Sequence, residues 1–405
     1  MHRNTKIAVL IDQGLLSVGN FLTTVICARI LTRQEFAIFS EYWLMVLFTN
    51  SIVTAAIIFP MASEFSRIQD NKQKEYLAGI FINTFAIVSL ASLGIAIYHY
   101  ATRYDSGATS STALLAGVIA IVGFNINEVA RKVMQLQSRV GTLVGASTMT
   151  NSLRIISLGA LWLTDHLTSE TALLCVGAAS ALGILPLSRI IKSANYASAK
   201  YALSINMPSA KWLVPSGLMQ WTTIYSYLIA VAQSANYSAL SELRATQNLA
   251  TIINPIIQSL ESIQSIQIAK TVAQAGYTQV HKERLKLFAP GIAALAITPL
   301  IFGFSDQLMQ MVYGSQYKNA GNTLTAMWLL QVITLLSIPI RATLRATGHS
   351  KLWFNAYLTV SFVATPAAIY LAHRGAESIA YSMAGTALAI FAASAILAKY
   401  KLAQR

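Results

Sequence analysis

The 405-residue sequence has few charged residues and only two cysteines. Charged side chains make up 11% of the chain and hydrophobic residues 55%, whereas charged residues are about a quarter of an average soluble domain. Because a soluble protein of this length needs charge to cover its surface, this composition excludes a soluble globular enzyme and a disordered chain. Cys27 and Cys175 both lie in apolar stretches, so we expect neither a disulfide nor a metal site.

Motifs that mark enzymes and channels are also absent from the sequence. We find no Walker A loop, no nucleophile elbow, no HExxH sequence and no TVGYG-like filter. We therefore expect that the chain is not an enzyme and needs no cofactor. Lys and Arg outnumber Asp and Glu by 29 to 15, but most of them lie in short connectors between apolar runs. Because they form no nucleic-acid-binding motif, no nucleic-acid partner is expected.

Long apolar stretches are abundant, each of about the 20 residues that a membrane-crossing helix needs. Twelve spans are predicted: 8–28, 40–60, 77–98, 111–129, 141–163, 170–189, 213–235, 246–266, 287–305, 322–341, 352–372 and 378–398. They leave only short connectors, which predicts an all-α, polytopic integral membrane protein. The basic connector 193–212 divides it into an N-terminal lobe, 1–192, and a C-terminal lobe, 213–405. Two six-helix lobes around a central cavity are a recurrent transporter design.

The distribution of positive charge predicts how the spans are oriented. With the N-terminus in the cytoplasm, 22 of the 29 Lys and Arg residues fall on the cytoplasmic side and six on the other, while Arg154 lies inside a span. This bias follows the positive-inside rule. It would be lost if one span were missing, because every later connector would change sides. We therefore predict that both termini are cytoplasmic.

Arg154 is the most informative polar residue inside a span. It lies near the middle of the fifth span, and Asn151 precedes it by about one helical turn. An arginine at that depth costs several kcal/mol in lipid, about 2.5 or more, so it must face a cavity or a partner. Two alternatives follow from the sequence: Arg154 binds an anionic substrate, or it forms an internal ion pair with a carboxylate of another helix.

The eighth span carries polar residues at helical spacing: Gln247, Asn254, Gln258 and Glu261. Such offsets place all four on one side of a regular helix, which Pro255 is expected to kink. This pattern favours a water-filled path, and the alternative is hydrogen bonding between helices.

Four short motifs occur along the chain in a fixed order. They are Asn20–Ala37 at the end of the first span, with Thr32 where a glycine is usual; Glu242–Leu249 at the eighth span; Val312–Tyr317 before the tenth; and Arg341–Gly348 after it. Their order and spacing resemble those of the Wzx-type polysaccharide flippases, which belong to the multidrug/oligosaccharidyl-lipid/polysaccharide (MOP) exporter superfamily. The resemblance extends over most of the chain.

This resemblance implies translocation of undecaprenyl-pyrophosphate-linked oligosaccharide repeat units across the bacterial inner membrane, for O-antigen, capsule or exopolysaccharide synthesis. The mechanism it implies is alternating access, run as an antiport on an H⁺ or Na⁺ gradient. The expected partners are the lipid-linked oligosaccharide, membrane lipids, a polysaccharide polymerase and a chain-length regulator.

The chemistry of such a substrate assigns roles to the polar residues of the spans. A pyrophosphate needs fixed cations and amides, and arginine matches its geometry. A buried carboxylate suits a coupling proton, because loss of hydration favours its neutral form. The candidates are Arg154, Arg29, Arg244, Arg341 and Arg345 for the pyrophosphate; Asn151, Gln247, Asn254 and Gln258 for the sugar; and Asp12, Glu41, Glu128 and Glu261 for the coupling ion.

Other functions remain open from the sequence. Within the same superfamily the alternative is an exporter of small molecules or drugs, although a cavity rich in arginine argues against cationic drugs. An unrelated twelve-helix secondary transporter, a membrane enzyme acting on lipid-linked sugars and a non-transporting assembly scaffold are the further alternatives.

Overall fold

The computed structural model describes residues 3–65, 68–103, 111–261, 284–346 and 349–402, together with Gln264, Ile268 and Thr271. Within these ranges every regular element is a helix and no strand occurs. The α-helices are α1 (Arg3–Ile30), α2 (Arg33–Val53), α3 (Phe59–Glu64), α4 (Asp70–Arg103), α5 (Ser111–Leu136), α6 (Val140–Leu163), α7 (Ser169–Leu182), α8 (Ser188–Ile191), α9 (Tyr196–Gln233), α10 (Tyr237–Ala250), α11 (Arg284–Tyr313), α12 (Gly321–Ala346), α13 (Ser350–Leu371) and α14 (Ala376–Leu402).

Shorter helical turns connect some of these elements. A π-helical turn, Thr54–Ile58, makes α2 and α3 nearly continuous. Three-residue 3₁₀ turns occur at Leu185–Leu187, Thr251–Ile253 and Ser315–Tyr317. Residues 254–261 are again helical.

The prediction of an all-α membrane protein is confirmed. Among the described residues, nine helices are long and apolar enough to cross a membrane. The predicted spans fall on the helices; the end of the eighth, beyond residue 261, lies outside the described residues apart from Gln264. The fifth, seventh and eighth predicted spans, on α6, on α9 and on α10 with the turns after it, are not among the nine. In α6 polar residues, Arg154 among them, lower the mean hydropathy.

The chain folds into two compact units, Met1–Leu218 and Met219–Arg405. The division falls inside α9, a single helix of 38 residues that contains Pro208 and Pro215. Most of the predicted connector 193–212 belongs to this helix. The lobe boundaries predicted from the sequence stay a prediction.

In the N-terminal unit, α5 and α7 pack with their backbones almost touching. The contact is made by Gly123 of α5 and Gly177 of α7. A Cβ placed on Gly123 would overlap the carbonyl oxygen of Gly177, and one placed on Gly177 would lie 2.6 Å from the carbonyl oxygen of Ile119. Small residues at a helix interface allow this close packing in membranes, where van der Waals contact replaces the hydrophobic effect as the driving force.

In the C-terminal unit, α12 packs against both α11 and α14. Its apolar face contributes Val332, Leu335 and Ile338 to a buried cluster that also contains Ala294 of α11. Polar side chains fix the helix ends: the backbone N–H of Gly321, at the start of α12, donates to Oδ1 of Asp306 at 2.9 Å. Such a bond satisfies a donor that the helix itself cannot use.

We predict that Gly177→Ala destabilises the protein by about 1–3 kcal/mol, because the added methyl group forces two packed backbones apart. The matched control is Gly159→Ala on α6, where no atom outside the helix backbone lies within 4 Å of the new Cβ. The melting temperatures of both variants in detergent provide the test. Equal melting temperatures for Gly177→Ala and the wild type would contradict the packing argument.

Candidate functional site

In the N-terminal unit, Asp12 of α1 is the centre of a buried polar network. Its carboxylate is fully buried and accepts two hydrogen bonds from Arg131 of α5, from Nε to Oδ1 at 2.9 Å and from Nη2 to Oδ2 at 2.6 Å. Gln135 of α5 donates to it at 2.9 Å, and Ser147 of α6 donates to its other oxygen. One carboxylate therefore joins three helices.

Arg131 is neutralised on two sides. It is 3% exposed, and it pairs with Glu128, one turn earlier on α5, as well as with Asp12. The sequence predicts a fourth span that ends at residue 129 and puts Arg131 on the cytoplasmic side. The predicted end is too early, because α5 continues to Leu136 and the guanidinium is buried. The side of the membrane stays a prediction. The signal that points to Arg131 is Asp12, an acid inside the first predicted span that requires a cationic partner.

Arg154 of α6 is 1% exposed, and its hydrogen-bond partners are neutral. Nη1 donates to Oδ1 of Asn20 on α1 at 3.0 Å, and Nη2 donates to Oδ1 of Asn151 at 2.5 Å. Within the part of the chain that the structure describes, no carboxylate pairs with Arg154 and no acceptor reaches its buried Nε. The described residues therefore form no internal ion pair with it.

Gly19 of α1 provides the space for this arrangement. A Cβ at Gly19 would overlap the side-chain amide of Asn151 and lie 2.6 Å from Nη2 of Arg154. Because Gly19 has no side chain, the guanidinium and the amide pack directly against the backbone of α1. Neither Gly19 nor Asn20 is among the residues that the sequence assigns to the site.

Arg244 of α10 repeats this pattern in the C-terminal unit. It is 8% exposed, and its Nη1 donates to Oε1 of Gln247, one turn later, at 2.6 Å. Over the described ranges, no carboxylate pairs with Arg244 and its buried Nε has no acceptor. Each unit thus holds one buried arginine whose nearest oxygen belongs to an amide side chain of the same helix.

Two of the four sequence motifs meet beside Arg244. Asn248, in the motif Glu242–Leu249, donates to the hydroxyl of Tyr313 at 3.1 Å. Tyr313 ends α11, and its ring packs edge-on against that of Tyr317 with centroids 5.8 Å apart. Between them Gly314 has a φ of +91°, a conformation that residues with a Cβ rarely adopt. The motif Val312–Tyr317 therefore ends α11 and forms the turn after it.

Arg341 of α12, in contrast to Arg244, is neutralised. Its Nη2 lies 2.8 Å from Oε2 of Glu261, and its guanidinium carbon is 5.4 Å from the centroid of the Trp353 ring. Arg341 borders a cavity of about 140 Å³ inside the C-terminal unit. Aromatic, hydroxyl and apolar side chains line the rest of the cavity, among them Tyr227, Thr334, Tyr357, Thr386 and Ile390.

The eighth predicted span is not one continuous α-helix. α10 ends at Ala250, the 3₁₀ turn Thr251–Ile253 follows, and Pro255 begins the next turn without an N–H to donate. A 3₁₀ turn has 3.0 residues per turn instead of 3.6, so three residues rotate the following face by about 60°. Gln247 is therefore rotated away from the other three residues of the predicted stripe. Asn254, Gln258 and Glu261 follow the turn and keep the spacing of one helix side.

The remaining predicted site residues differ in burial. Glu41 of α2 is buried, Asn254 is half-buried, and Arg29 and Gln258 are exposed. Arg345 belongs to α12, but its side chain lies outside the described residues. Among the described residues, no group of three His, Cys, Asp or Glu side chains could hold a metal ion.

The fold is similar to that of several solved transporters. The lipid II flippase MurJ, in an inward closed conformation, matches with a TM-score of 0.69 at 14% sequence identity, covering 98% of this chain and 87% of that chain. An inward-facing multidrug resistance MATE family transporter of the MOP superfamily gives 0.64 at 12% identity, covering 98% of each chain. The eukaryotic MATE transporter AtDTX14 gives 0.63 at 14% identity, covering 100% of this chain and 96% of that chain.

These similarities show that the chain has the fold of MOP superfamily transporters and is a multi-pass membrane protein. No protein-family model matches the sequence, and comparison with the curated proteins gave no match. The narrower assignment to Wzx-type flippases stays a prediction.

We predict that Arg131→Gln destabilises the protein by about 3–5 kcal/mol, because it leaves the buried carboxylates of Asp12 and Glu128 without their cation. Asp12→Asn is expected to cost less, because Arg131 keeps Glu128 as a partner. The double variant Asp12→Asn/Arg131→Gln is expected to recover part of this loss, and only part because Glu128 keeps its charge. Denaturant unfolding in detergent, analysed as a double-mutant cycle, measures the coupling.

The control for this cycle is the exposed pair Lys72 and Glu75, which lie 2.9 Å apart with side chains 51% and 35% exposed. Replacing Lys72 and Glu75 with glutamine is expected to lower the free energy of unfolding by less than about 1 kcal/mol. A double variant of Asp12 and Arg131 that loses the full sum of the two single changes would show that the pair contributes no coupling.

Proposed function

We propose that this chain is a flippase that translocates undecaprenyl-pyrophosphate-linked oligosaccharide across the bacterial inner membrane by alternating access. The fold of MOP transporters, which include the lipid II flippase MurJ, supports transport of this class. The narrower assignment depends on the order of the four sequence motifs and on the buried arginines.

The observation that carries the proposal is the difference between two arginines of the N-terminal unit. Arg131 and Arg154 are both almost fully buried. Arg131 has two carboxylate partners, whereas Arg154 has amide oxygens alone among the described residues. A buried charge without a counter-charge is strongly unfavourable. An anionic ligand that reached Arg154 would remove this cost, whereas at Arg131 it would compete with Asp12 and Glu128.

The groups around Arg154 suit a diphosphate. Guanidinium groups bind phosphate oxygens through paired N–H donors, and such charge-assisted hydrogen bonds are about twice as strong as neutral ones. The Nε of Arg154 is an unused donor, and the side-chain amides of Asn20 and Asn151 supply further N–H groups. In the C-terminal unit, Arg244 and Gln247 offer the same two chemical groups.

We assign coupling to Asp12. Its carboxylate is fully buried and receives hydrogen bonds from α5 and α6. Protonation, or binding of Na⁺, would remove the charge that holds Arg131 and so change the relative stability of two packing arrangements of α1, α5 and α6. A ligand shifts such an equilibrium only by its differential affinity for the two states. The ion gradient and the anionic substrate would act through neighbouring sites on α1 and α6.

We predict that Arg154→Gln abolishes export while the protein stays folded. Glutamine keeps an amide donor near Asn151, so loss of the unpaired charge is expected to leave the melting temperature unchanged or raise it. Arg154→Lys keeps the charge without the planar donor pair and is expected to retain partial activity. The control Arg139→Gln removes one exposed charge at the start of the same helix.

The test uses a strain from which the gene is deleted and which carries each variant at equal protein level. Membranes are extracted to quantify undecaprenyl-pyrophosphate-linked oligosaccharide, and surface polysaccharide is measured alongside. For the deletion and for Arg154→Gln we expect complete repeat units to accumulate and the surface polymer to be lost. Unchanged levels of both in the deletion strain would reject the flippase and favour export of small molecules. Normal export by Arg154→Gln alone would reject the role of Arg154.

A further inference from the structure

Helix α9 is too long for its whole length to lie in the hydrocarbon core. Its 38 residues extend about 57 Å at 1.5 Å per residue, whereas the hydrocarbon core of a bilayer is about 30 Å thick. The predicted span uses its second half, from residue 213. Pro208 and Pro215 interrupt the hydrogen-bond ladder where the two halves meet. Such a break allows the first half, residues 196–212, to bend away from the spanning half and to lie along the membrane surface at the headgroup level.

One side of this first half packs against α4 within the N-terminal unit. The hydroxyl of Tyr76 donates to Oδ1 of Asn206 at 2.7 Å, and the side-chain amide of Asn83 donates to the carbonyl oxygen of Ala199 at 3.1 Å. At Gly79 the two helices approach so closely that a Cβ would overlap the backbone of Ser198. These contacts fix which face of α9 points away from the protein.

A neighbouring face of the helix carries a stripe of five exposed residues: Tyr196, Lys200, Leu203, Met207 and Lys211. Their offsets of 0, 4, 7, 11 and 15 place them within about 80° of one another on an α-helix. Tyr196 is 83% exposed, and Leu203 and Met207 are nearly half exposed. We call these five residues the 196–211 stripe. An aromatic residue, two aliphatic residues and two lysines on one face are typical of a helix that lies in a membrane interface.

The surrounding sequence makes this surface strongly positive. Between Glu170 and Glu242 the chain has no Asp or Glu, whereas it has Arg189, Lys192, Lys200 and Lys211. The nearest acid across the packed face, Glu75 of α4, is paired with Lys72 at 2.9 Å. The stripe therefore complements a negatively charged surface.

We propose that the 196–211 stripe binds anionic phospholipid in the membrane leaflet that it faces. Leu203 and Met207 enter the boundary between headgroups and acyl chains. Lys200 and Lys211, about 16 Å apart along the helix, extend their stems over this apolar surface and bring their ammonium groups to lipid phosphates. Trp212, 72% exposed with Lys211 Nζ 5.9 Å from its ring centroid, adds an aromatic anchor at the same level. The predicted topology makes this the cytoplasmic leaflet.

The test is native mass spectrometry of the full-length chain purified in detergent and titrated with phosphatidylglycerol or phosphatidylcholine. We expect the wild type to retain phosphatidylglycerol at least tenfold more tightly than phosphatidylcholine. Lys200→Gln/Lys211→Gln is expected to weaken phosphatidylglycerol binding by about tenfold and to leave phosphatidylcholine binding unchanged. The matched control, Lys318→Gln/Lys351→Gln, removes the same charge from two exposed lysines outside the stripe and is expected to bind like the wild type.

A second variant distinguishes insertion of the apolar side chains into the membrane from attraction of the lysines to lipid phosphates. Leu203→Asn/Met207→Asn is expected to weaken both lipids to a similar extent and to preserve the preference for phosphatidylglycerol. Equal retention of the two lipids by the wild type, or an equal loss in the control, would overturn the proposal. A dimer seen for the wild type and lost in Lys200→Gln/Lys211→Gln would also overturn the proposal. It would show that the stripe contacts a second copy of the chain. All variants change exposed side chains, and their melting temperatures verify that they are folded.

Discussion

A charge buried among membrane-spanning helices has no water to solvate it, so it is stable only beside a counter-charge. In the N-terminal unit this constraint brings Asp12, Arg131 and Glu128 together. Paired hydrogen bonds between a guanidinium and a carboxylate are directional, so they fix the rotation and the height of α1 against α5. Non-directional packing of small residues, as at Gly123 and Gly177, cannot select a register in this way. The polar pairs therefore specify an arrangement that apolar contacts stabilise.

The motifs that resemble polysaccharide flippases serve mainly to begin and end helices. Thr32, where a glycine is usual, is the N-cap of α2: the N–H of Glu35 donates to its hydroxyl at 3.2 Å, and its own N–H donates to the Glu35 carboxylate at 3.2 Å. Gly314 permits the turn after α11, and Asn248 joins that turn to α10. Because Thr32, Gly314 and Asn248 serve the fold, the proposed substrate depends on the order of all four motifs and on the buried arginines.

The sequence predicts the spans well because length and hydropathy are local properties. It does not predict which polar residues meet, because Asp12 and Arg131 are 119 positions apart and their contact depends on how α1, α5 and α6 come together. The burial of Arg131 is missed for a related reason: the apolar stretch ends before the helix does. The 3₁₀ turn before Pro255 is predicted only as a kink, since a proline indicates a break in the hydrogen-bond ladder but not how the chain rearranges around it.

Arg154 differs from the paired arginines in having neutral hydrogen-bond partners among the described residues. The chain can neutralise a buried guanidinium, since it does so for Arg131 a short distance away, yet among the described residues it gives Arg154 amide oxygens alone. Amides offset part of the lost hydration without cancelling the charge, so the unliganded state stays less stable than a paired one would be. The proposed transport would use that difference. If an anion is held more tightly in one of two conformations, the free energy gained at Arg154 changes their populations, whereas a guanidinium already paired within the protein would gain little from the substrate.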